Sequence, residues 1–266
     1  MSILISIITV NLNNKNGLLK TIKSIKSQTF KDFELIVVDG NSTDGSKDVL
    51  SKNANIINHL ICENDTGIYN AMNKGINLST GKYLLFLNSG DWLVDINVFY
   101  EASKYLDKEI DIIYGNLITI RENERKIMNF PDEIRVSYLY SGYLPHPSSF
   151  IKKSLFSKIG SYSEDYKICS DWEFILKAII INNCTYLHIP IVISIFPLNG
   201  ISSKQYNIVL KERNDIIQKL LPYLEEDLIE LNLLRENTKS RLVKFAIKIS
   251  NNKILFLIKN RLSKFL

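Results

Sequence analysis

One stretch, Gly81-Lys82-Tyr83-Leu84-Leu85-Phe86-Leu87-Asn88-Ser89-Gly90-Asp91-Trp92-Leu93, constrains the fold more than any other. Residues 83–87 are all apolar, and the run stops abruptly in small and polar residues around one carboxylate. Such a run, with no polar face, predicts a strand buried on both sides in a parallel sheet. In open α/β sheets ligands bind outside the carboxyl ends of such strands. Asp91 is therefore delivered to the place where a ligand is expected. Taken alone, the stretch fits equally well a polar turn that closes a core strand.

The upstream chain shifts that balance. Residues 3–10 are a second continuous apolar strand, followed by a turn at 11–17 and a helix over 18–28 with Leu18, Leu19, Ile22 and Ile25 on one face. Residues 33–38 form a strand ending at Asp39, with Thr43 or Asp44 suited to cap a helix from Ser46. A third strand is predicted over 56–62 and a helix over 66–78, its apolar face made by Ile68, Ala71, Met72 and Ile76. Alternating strands and helices with short connections mean a parallel sheet with right-handed crossovers. A nucleotide-type ligand at its carboxyl edge is the default expectation. A dinucleotide fingerprint is absent, because the turn after the first strand carries only Gly17.

The second half is less regular. Strands are predicted over 110–120 and 126–130, then a kinked loop, Tyr143-Leu144-Pro145-His146-Pro147, leading into residues 148–151. Helices follow over 154–159, stopped by Gly160, and over 171–181, and a last strand over 184–196. No linker rich in Pro, Gly or Ser separates the halves, so they are expected to share one sheet.

The chain has 266 residues and a net charge of +5, unevenly spread. Residues 235–266 hold nine basic side chains and one acid, a charge of +8, which leaves −3 for residues 1–234. That asymmetry points the tail at an anionic surface and argues against nucleic-acid binding by the whole chain. Leu242, Val243, Phe245, Ile249, Leu255, Phe256, Ile258 and Leu262 are interleaved with the basic residues. This is the pattern of an amphipathic helix or helix pair that lies on a membrane or packs on the domain. Residues 1–10 read as a strand and not as a signal peptide. No apolar stretch approaches the roughly 18 residues of a membrane span. Cys62, Cys169 and Cys184 are widely spaced, without zinc spacing, and suit a reducing compartment. The expected location is the cytoplasm, with the inner face of the membrane as a further option.

Three carboxylates stand at strand ends or helix starts: Asp39, Asp91 and Asp171. Their bland alternatives are a helix-capping turn, a polar turn and an N-cap. The motifs around them carry a resemblance. Ser6-Ile7-Ile8-Thr9-Val10-Asn11, Val37-Val38-Asp39-Gly40-Asn41-Ser42-Thr43-Asp44-Gly45-Ser46 and Gly67-Ile68-Tyr69-Asn70-Ala71-Met72-Asn73-Lys74-Gly75-Ile76 come first, then Asn88-Ser89-Gly90-Asp91 and Ser170-Asp171-Trp172-Glu173. In that order they resemble the inverting family 2 glycosyltransferases, in particular bacterial members of the colanic-acid type that build surface polysaccharides.

The resemblance implies an α/β GT-A fold with a Rossmann-like, mostly parallel sheet flanked by helices. It implies a nucleotide-diphosphate sugar donor, a divalent metal (Mn or Mg), and a glycan or lipid-linked acceptor. Residues 1–203 would be the transferase domain, with a nucleotide-sugar half (1–95) and an acceptor half (96–203). Residues 204–266 would be a helical, basic extension. By position, Thr9, Asn11, Asp39, Ser89 and Gly90 would contact the donor. Asp91 matches the last aspartate of the family's metal motif, and Asp171 its catalytic base. His146 falls in the acceptor-side loop and would touch acceptor or diphosphate, while His188, in an apolar strand, reads as a satisfied core residue. Ser202 and Ser203 would belong to a loop closing over the donor. Asn88 and Gly90 replace the earlier aspartates of the metal motif, and Met72 stands where many members carry an arginine near the base.

Two other classes compete. A nucleotidyltransferase would show a Gly-rich, basic triphosphate loop after the first strand, where only Lys15 is basic. A sugar- or membrane-binding protein on a decayed transferase fold would explain the thinned metal motif, but Asp171 is intact.

Overall fold

The computed structural model describes residues 3–239 apart from 123, 199 and 201–204. The proposed closing loop at 202–203 and the basic segment 240–266 lie outside the described residues. Strands β1 (Ile5–Asn11), β2 (Phe33–Asp39), β3 (His59–Cys62) and β4 (Tyr83–Phe86) alternate with helices α1 (Lys15–Lys26), α2 (Ser46–Lys52) and α3 (Ile68–Leu78). β5 (Trp92–Leu93), α4 (Val98–Leu106), β6 (Ile112–Arg121), β7 (Glu124–Met128) and α5 (Val136–Ser141) follow. Then come β8 (Ser149–Lys152), α6 (Lys153–Ile159), α7 (Ser170–Leu176) and β9 (Tyr186–Pro197), and the helices α8 (Tyr206–Leu220) and α9 (Glu225–Lys239).

All the strands join one nine-stranded sheet, ordered β3-β2-β1-β4-β8-β6-β9-β5, with β7 paired to β6. The first four strands are mutually parallel, as the apolar runs require. β8 enters antiparallel to both β4 and β6, joining the halves.

Pleating sends alternate residues to opposite faces, and here both faces are apolar. Ile5 and Ile7, Leu35 and Val37, and Tyr83 and Leu85 face α1, α2 and α4. Ile8 and Val10, Ile36 and Val38, and Leu84 and Phe86 face α3, α6, α7 and α8. Ile216 and Ile217 of α8 are fully buried in this second cluster, so the helix that follows residue 203 packs into the same core as Trp172 and Phe174.

Several boundaries differ from the sequence expectation. β3 covers four residues, because Ile56 and Ile57 pack against the α1–α2–α4 side from a loop. α2 is capped by neither Thr43 nor Asp44: Gly45 is the N-cap, at φ 90°, a left-handed conformation that glycine adopts without strain. Asp44 acts beside it, accepting from Ser46 N at 3.0 Å and from Lys15 N at 2.7 Å. The helix expected over 171–181 is α only to Leu176 and continues as a π-helical turn, Lys177–Ile181.

Gly75 lets α3 settle on β1: a Cβ there would lie 2.5 Å from Ile8 Cγ2. Alanine normally stabilises a helix over glycine by about 1 kcal/mol, but overpacking a filled core costs about 1–3 kcal/mol. Gly75→Ala is therefore expected to lower stability in urea unfolding. In an Ile8→Ala background, with the clash relieved, the same change should become neutral or stabilising.

Candidate active site

β1, β2 and β4 are parallel, so Asn11, Asp39 and residues 88–91 reach one edge of the sheet. The strand order reverses direction between β1 and β4, the kind of switch point where α/β sheets open a crevice.

At the β2 end Asp39 is fully buried, yet well bonded. It accepts from Asn11 Nδ2 at 2.6 Å, from Ser42 Oγ at 2.8 Å and from Ser42 N at 2.7 Å. The carboxylate fixes the amide orientation of its cross-strand neighbour Asn11, which leaves Asn11 Oδ1 buried without a partner among the described residues. Thr9 is fully buried and donates to Leu87 O at 2.9 Å, so its side chain ties β1 to the end of β4 and leaves no surface open to a ligand.

The 88–91 turn is braced from α1. Thr21 Oγ1 donates to Asp91 O at 2.6 Å and accepts from Gly90 N at 3.1 Å. Asn14 caps α1 through Oδ1 while its Nδ2 donates to Ser89 O at 2.8 Å. Gly90 sits at φ 107°, where a side chain would be strained. Asp91 is 7% exposed and has no ion pair among the described residues. Burial pushes its carboxyl up from 3.8 to about 8, against a weaker opposing hydrogen bond from the Asn88 backbone.

This corner suits a cation. Three residues before Asp91, Asn88 Oδ1 is buried without a partner among the described residues. No group of three or more His, Cys, Asp or Glu side chains able to hold a metal occurs among the described residues. A hard divalent ion here would take Asp91 and Asn88 oxygens and complete its shell with phosphate oxygens and water, the usual habit of Mg²⁺.

The second half of the chain brings Asp171, in the first turn of α7, to the same crevice. Its side chain stays 29% exposed. Tyr69 Oη, from α3, lies 2.7 Å from Asp171 Oδ1 and 2.5 Å from Ile168 O, with one proton to share. His146 Nδ1 lies 4.0 Å from Asp171 Oδ2, and its Nε2 lies 2.9 Å from Tyr162 Oη. The imidazole stacks on Phe86, at the end of β4, with centroids 4.7 Å apart and planes 19° apart. Phe86 thereby links the Asp171 cluster to the strand that leads to Asp91.

Burial lowers the His146 pKa against the raising effect of Asp171, which keeps the ring neutral at pH 7. Burial and the Asp171 charge lift the Tyr69 and Tyr162 phenols well above their ordinary value, so both remain protonated. With Tyr162 as the donor to Nε2, the tautomer that suits the pair, the ring proton sits on Nδ1, the nitrogen nearer Asp171.

Sequence reading thus placed Asn11, Asp39, Ser89, Gly90, Asp91, His146 and Asp171 in regions that the fold brings to one sheet edge. It missed Asn14, Thr21 and Tyr162, and gave Tyr69 no role beyond its motif. Tyr69 had a signal, a polar-tipped aromatic on the buried face of a helix, which needs a partner. His188 is bonded at both nitrogens, to Asp132 at 2.6 Å and Asn116 at 3.0 Å. Met72 is buried in the core.

Comparison with known proteins gives a consistent result. The profile of Glycosyl transferase family 2 matches residues 6–169. A PGL/p-HBAD biosynthesis glycosyltransferase of Mycobacterium bovis is 36% identical over 177 residues, 65% of this chain and 68% of that protein. The crystal structure of S. aureus TarS 1-349 with UDP-GlcNAc superposes at a TM-score of 0.66 and 18% identity, covering 92% of this chain and 76% of that one. The mannosyltransferase PcManGT from Pyrobaculum calidifontis, with GDP-Man and Mn²⁺, superposes at a TM-score of 0.59 and 17% identity, covering 76% of this chain and 59% of that one. The chain spans 46% of a longer TarS structure.

The raised Asp91 pKa has a defined signature. Between the ordinary 3.8 and about 8 the folded state binds a proton that the unfolded state has released. The associated stability is complete below the lower value and is lost as pH rises through the upper one. In metal-free buffer the melting temperature should fall from pH 4 to pH 8 more steeply for the wild type than for Asp91→Asn, as followed by circular dichroism.

Proposed function

The chain belongs to glycosyl transferase family 2 and has its GT-A fold, and on that footing we propose a specific reaction. The protein moves a sugar from a nucleotide-diphosphate sugar to a hydroxyl of a glycan or lipid-linked glycan, inverting the anomeric centre, in surface-polysaccharide assembly. The observation that carries the reading is Asp171, part-exposed, bonded by Tyr69 and faced by His146, which stacks on Phe86 at the end of β4.

The chemistry needs two things. Negative charge develops on the departing diphosphate, and a divalent cation bound at Asp91 and Asn88 would stabilise it. An acceptor hydroxyl, with a pKa far above 7, must lose its proton as it attacks. Asp171 is the base that takes it, since a carboxylate within about 2.6–3.2 Å suffices. The 4.0 Å between His146 Nδ1 and Asp171 Oδ2 leaves room for that hydroxyl oxygen to bond both groups. His146 then donates to the oxygen while Asp171 receives its proton, and a lone pair stays free for attack. Attack on the face opposite the diphosphate inverts the centre.

On the donor side, Asn11, 4% exposed with its amide oriented by Asp39, would meet the base at the sheet edge. Ser89 and Gly90, in the turn that leads to Asp91, would contact the donor there. UDP-GlcNAc and GDP-mannose, held by TarS and PcManGT, are the donors to try first. Among the described residues no helix is long and apolar enough to cross a membrane. The +8 segment 235–266 would hold a cytoplasmic protein to anionic lipid, at about 1 kcal/mol per basic residue near the surface.

A panel of UDP- and GDP-sugars with Mn²⁺ or EDTA tests the reading. Turnover should require the cation and be abolished in Asp91→Ala, and wild-type turnover in EDTA would defeat the metal role. Asp171→Asn should lower kcat by about 10²- to 10⁴-fold and leave donor affinity intact. Collapse of donor affinity with normal single-turnover chemistry would make Asp171 a binding residue.

A further inference from the structure

Glu212, on α8, is a carboxylate only 9% exposed and without a cationic partner among the described residues. Burying such a charge is costly unless hydrogen bonds replace the lost water. The replacement is unusually local: Glu212 accepts from three consecutive backbone amides, Lys167 N at 2.7 Å, Ile168 N at 3.0 Å and Cys169 N at 3.0 Å. These amides lie two to four residues before Asp171. The carbonyl of Ile168 is the one that shares the Tyr69 hydroxyl with Asp171.

The neighbouring residue grips the other side. The Arg213 guanidinium lies 4.7 Å over the ring of Trp172, immediately after Asp171. One turn further along α8, Asp215 accepts from Tyr166 Oη at 2.7 Å, and Lys219 donates to the same oxygen at 3.0 Å. Trp172 is itself locked from below, donating to Leu139 O at 2.9 Å. α8 therefore holds residues 166–169 and 172 and leaves Asp171 free to face the crevice. The helix begins at Tyr206, well beyond residue 169 where the family profile ends.

We propose that Glu212 and Arg213 are positioning residues for Asp171, so that α8 completes the catalytic side of the crevice without touching substrate. The inference rests on Asp171 being the base. Displacing a reacting group by about 1 Å can cost around 10²-fold in rate, so a brace on both flanks of the base acts on turnover more than on donor binding.

The test measures kcat, donor dissociation constant and melting temperature for the full chain and for Glu212→Gln, Arg213→Lys, Tyr69→Phe and Asp171→Asn. Gln keeps the length of Glu212 but offers one accepting oxygen, and Lys keeps the charge of Arg213 without the flat stacking surface. Both should lower kcat, by about 10- to 100-fold for Glu212→Gln, with the donor constant within twofold of wild type. Because Tyr69 and Glu212 act on the same Ile168–Asp171 segment, their effects on kcat should be non-additive in a double-mutant cycle. Should Glu212→Gln fail to fold, Arg213→Lys carries the same comparison. Wild-type kcat in both brace variants, strict additivity with Tyr69→Phe, or parallel loss of donor affinity and kcat overturns the inference. If Asp171→Asn alone keeps wild-type kcat, the base assignment fails, and the brace falls with it. If Asp171→Asn is inactive and the brace variants are normal, only the brace is wrong.

Discussion

A strand buried on both faces has only its ends for polar chemistry, and the rest of this molecule follows from that. β1, β2 and β4 present apolar side chains to helices on both sides of the sheet. Their functional groups are confined to the carboxyl edge: Asn11, Asp39 and the turn from Asn88 to Asp91. The close approach of α3 and α1 to this sheet then brings Tyr69 to Asp171 and Thr21 to the turn that ends in Asp91.

The two halves contribute different chemistry. The parallel half offers fixed acceptors and a desolvated carboxylate, the setting in which the proposed cation and diphosphate would meet. The second half, joined through β8, supplies the cluster of Asp171, His146 and Tyr162 proposed to handle the proton. Phe86 lies between them, its ring under the imidazole. In this site burial favours the neutral form of both groups, pushing the Asp91 carboxyl up to about 8 and the His146 imidazole down.

Family membership and structure also divide the labour. The matched profile ends at residue 169, just before the residue proposed as base. The surroundings of Asp171 are built by segments far from it, α3 about a hundred positions upstream and α8 about forty downstream. Glu212 reaches three backbone amides, a contact that leaves no trace in the residue types that receive it.

From sequence alone the apolar runs determined the parallel half, because a two-sided core demands unbroken hydrophobic strands whatever the partners. They also placed Asp39 and Asp91 at strand ends, and the motifs identified the family before any geometry was known. Local pattern failed where tertiary contacts compete with it: Ile56 and Ile57 were counted as strand but pack from a loop, and Gly45, not Thr43 or Asp44, caps α2. The partners of Asp171 were beyond its reach for a deeper reason. Periodicity reports which face of an element is buried, while a hydrogen bond between residues 69 and 171 depends on how two elements cross. Only the packed sheet, with α3, α7 and α8 crowded on one face, decided that Tyr69 and His146 would face one carboxylate while Glu212 held the backbone leading to it.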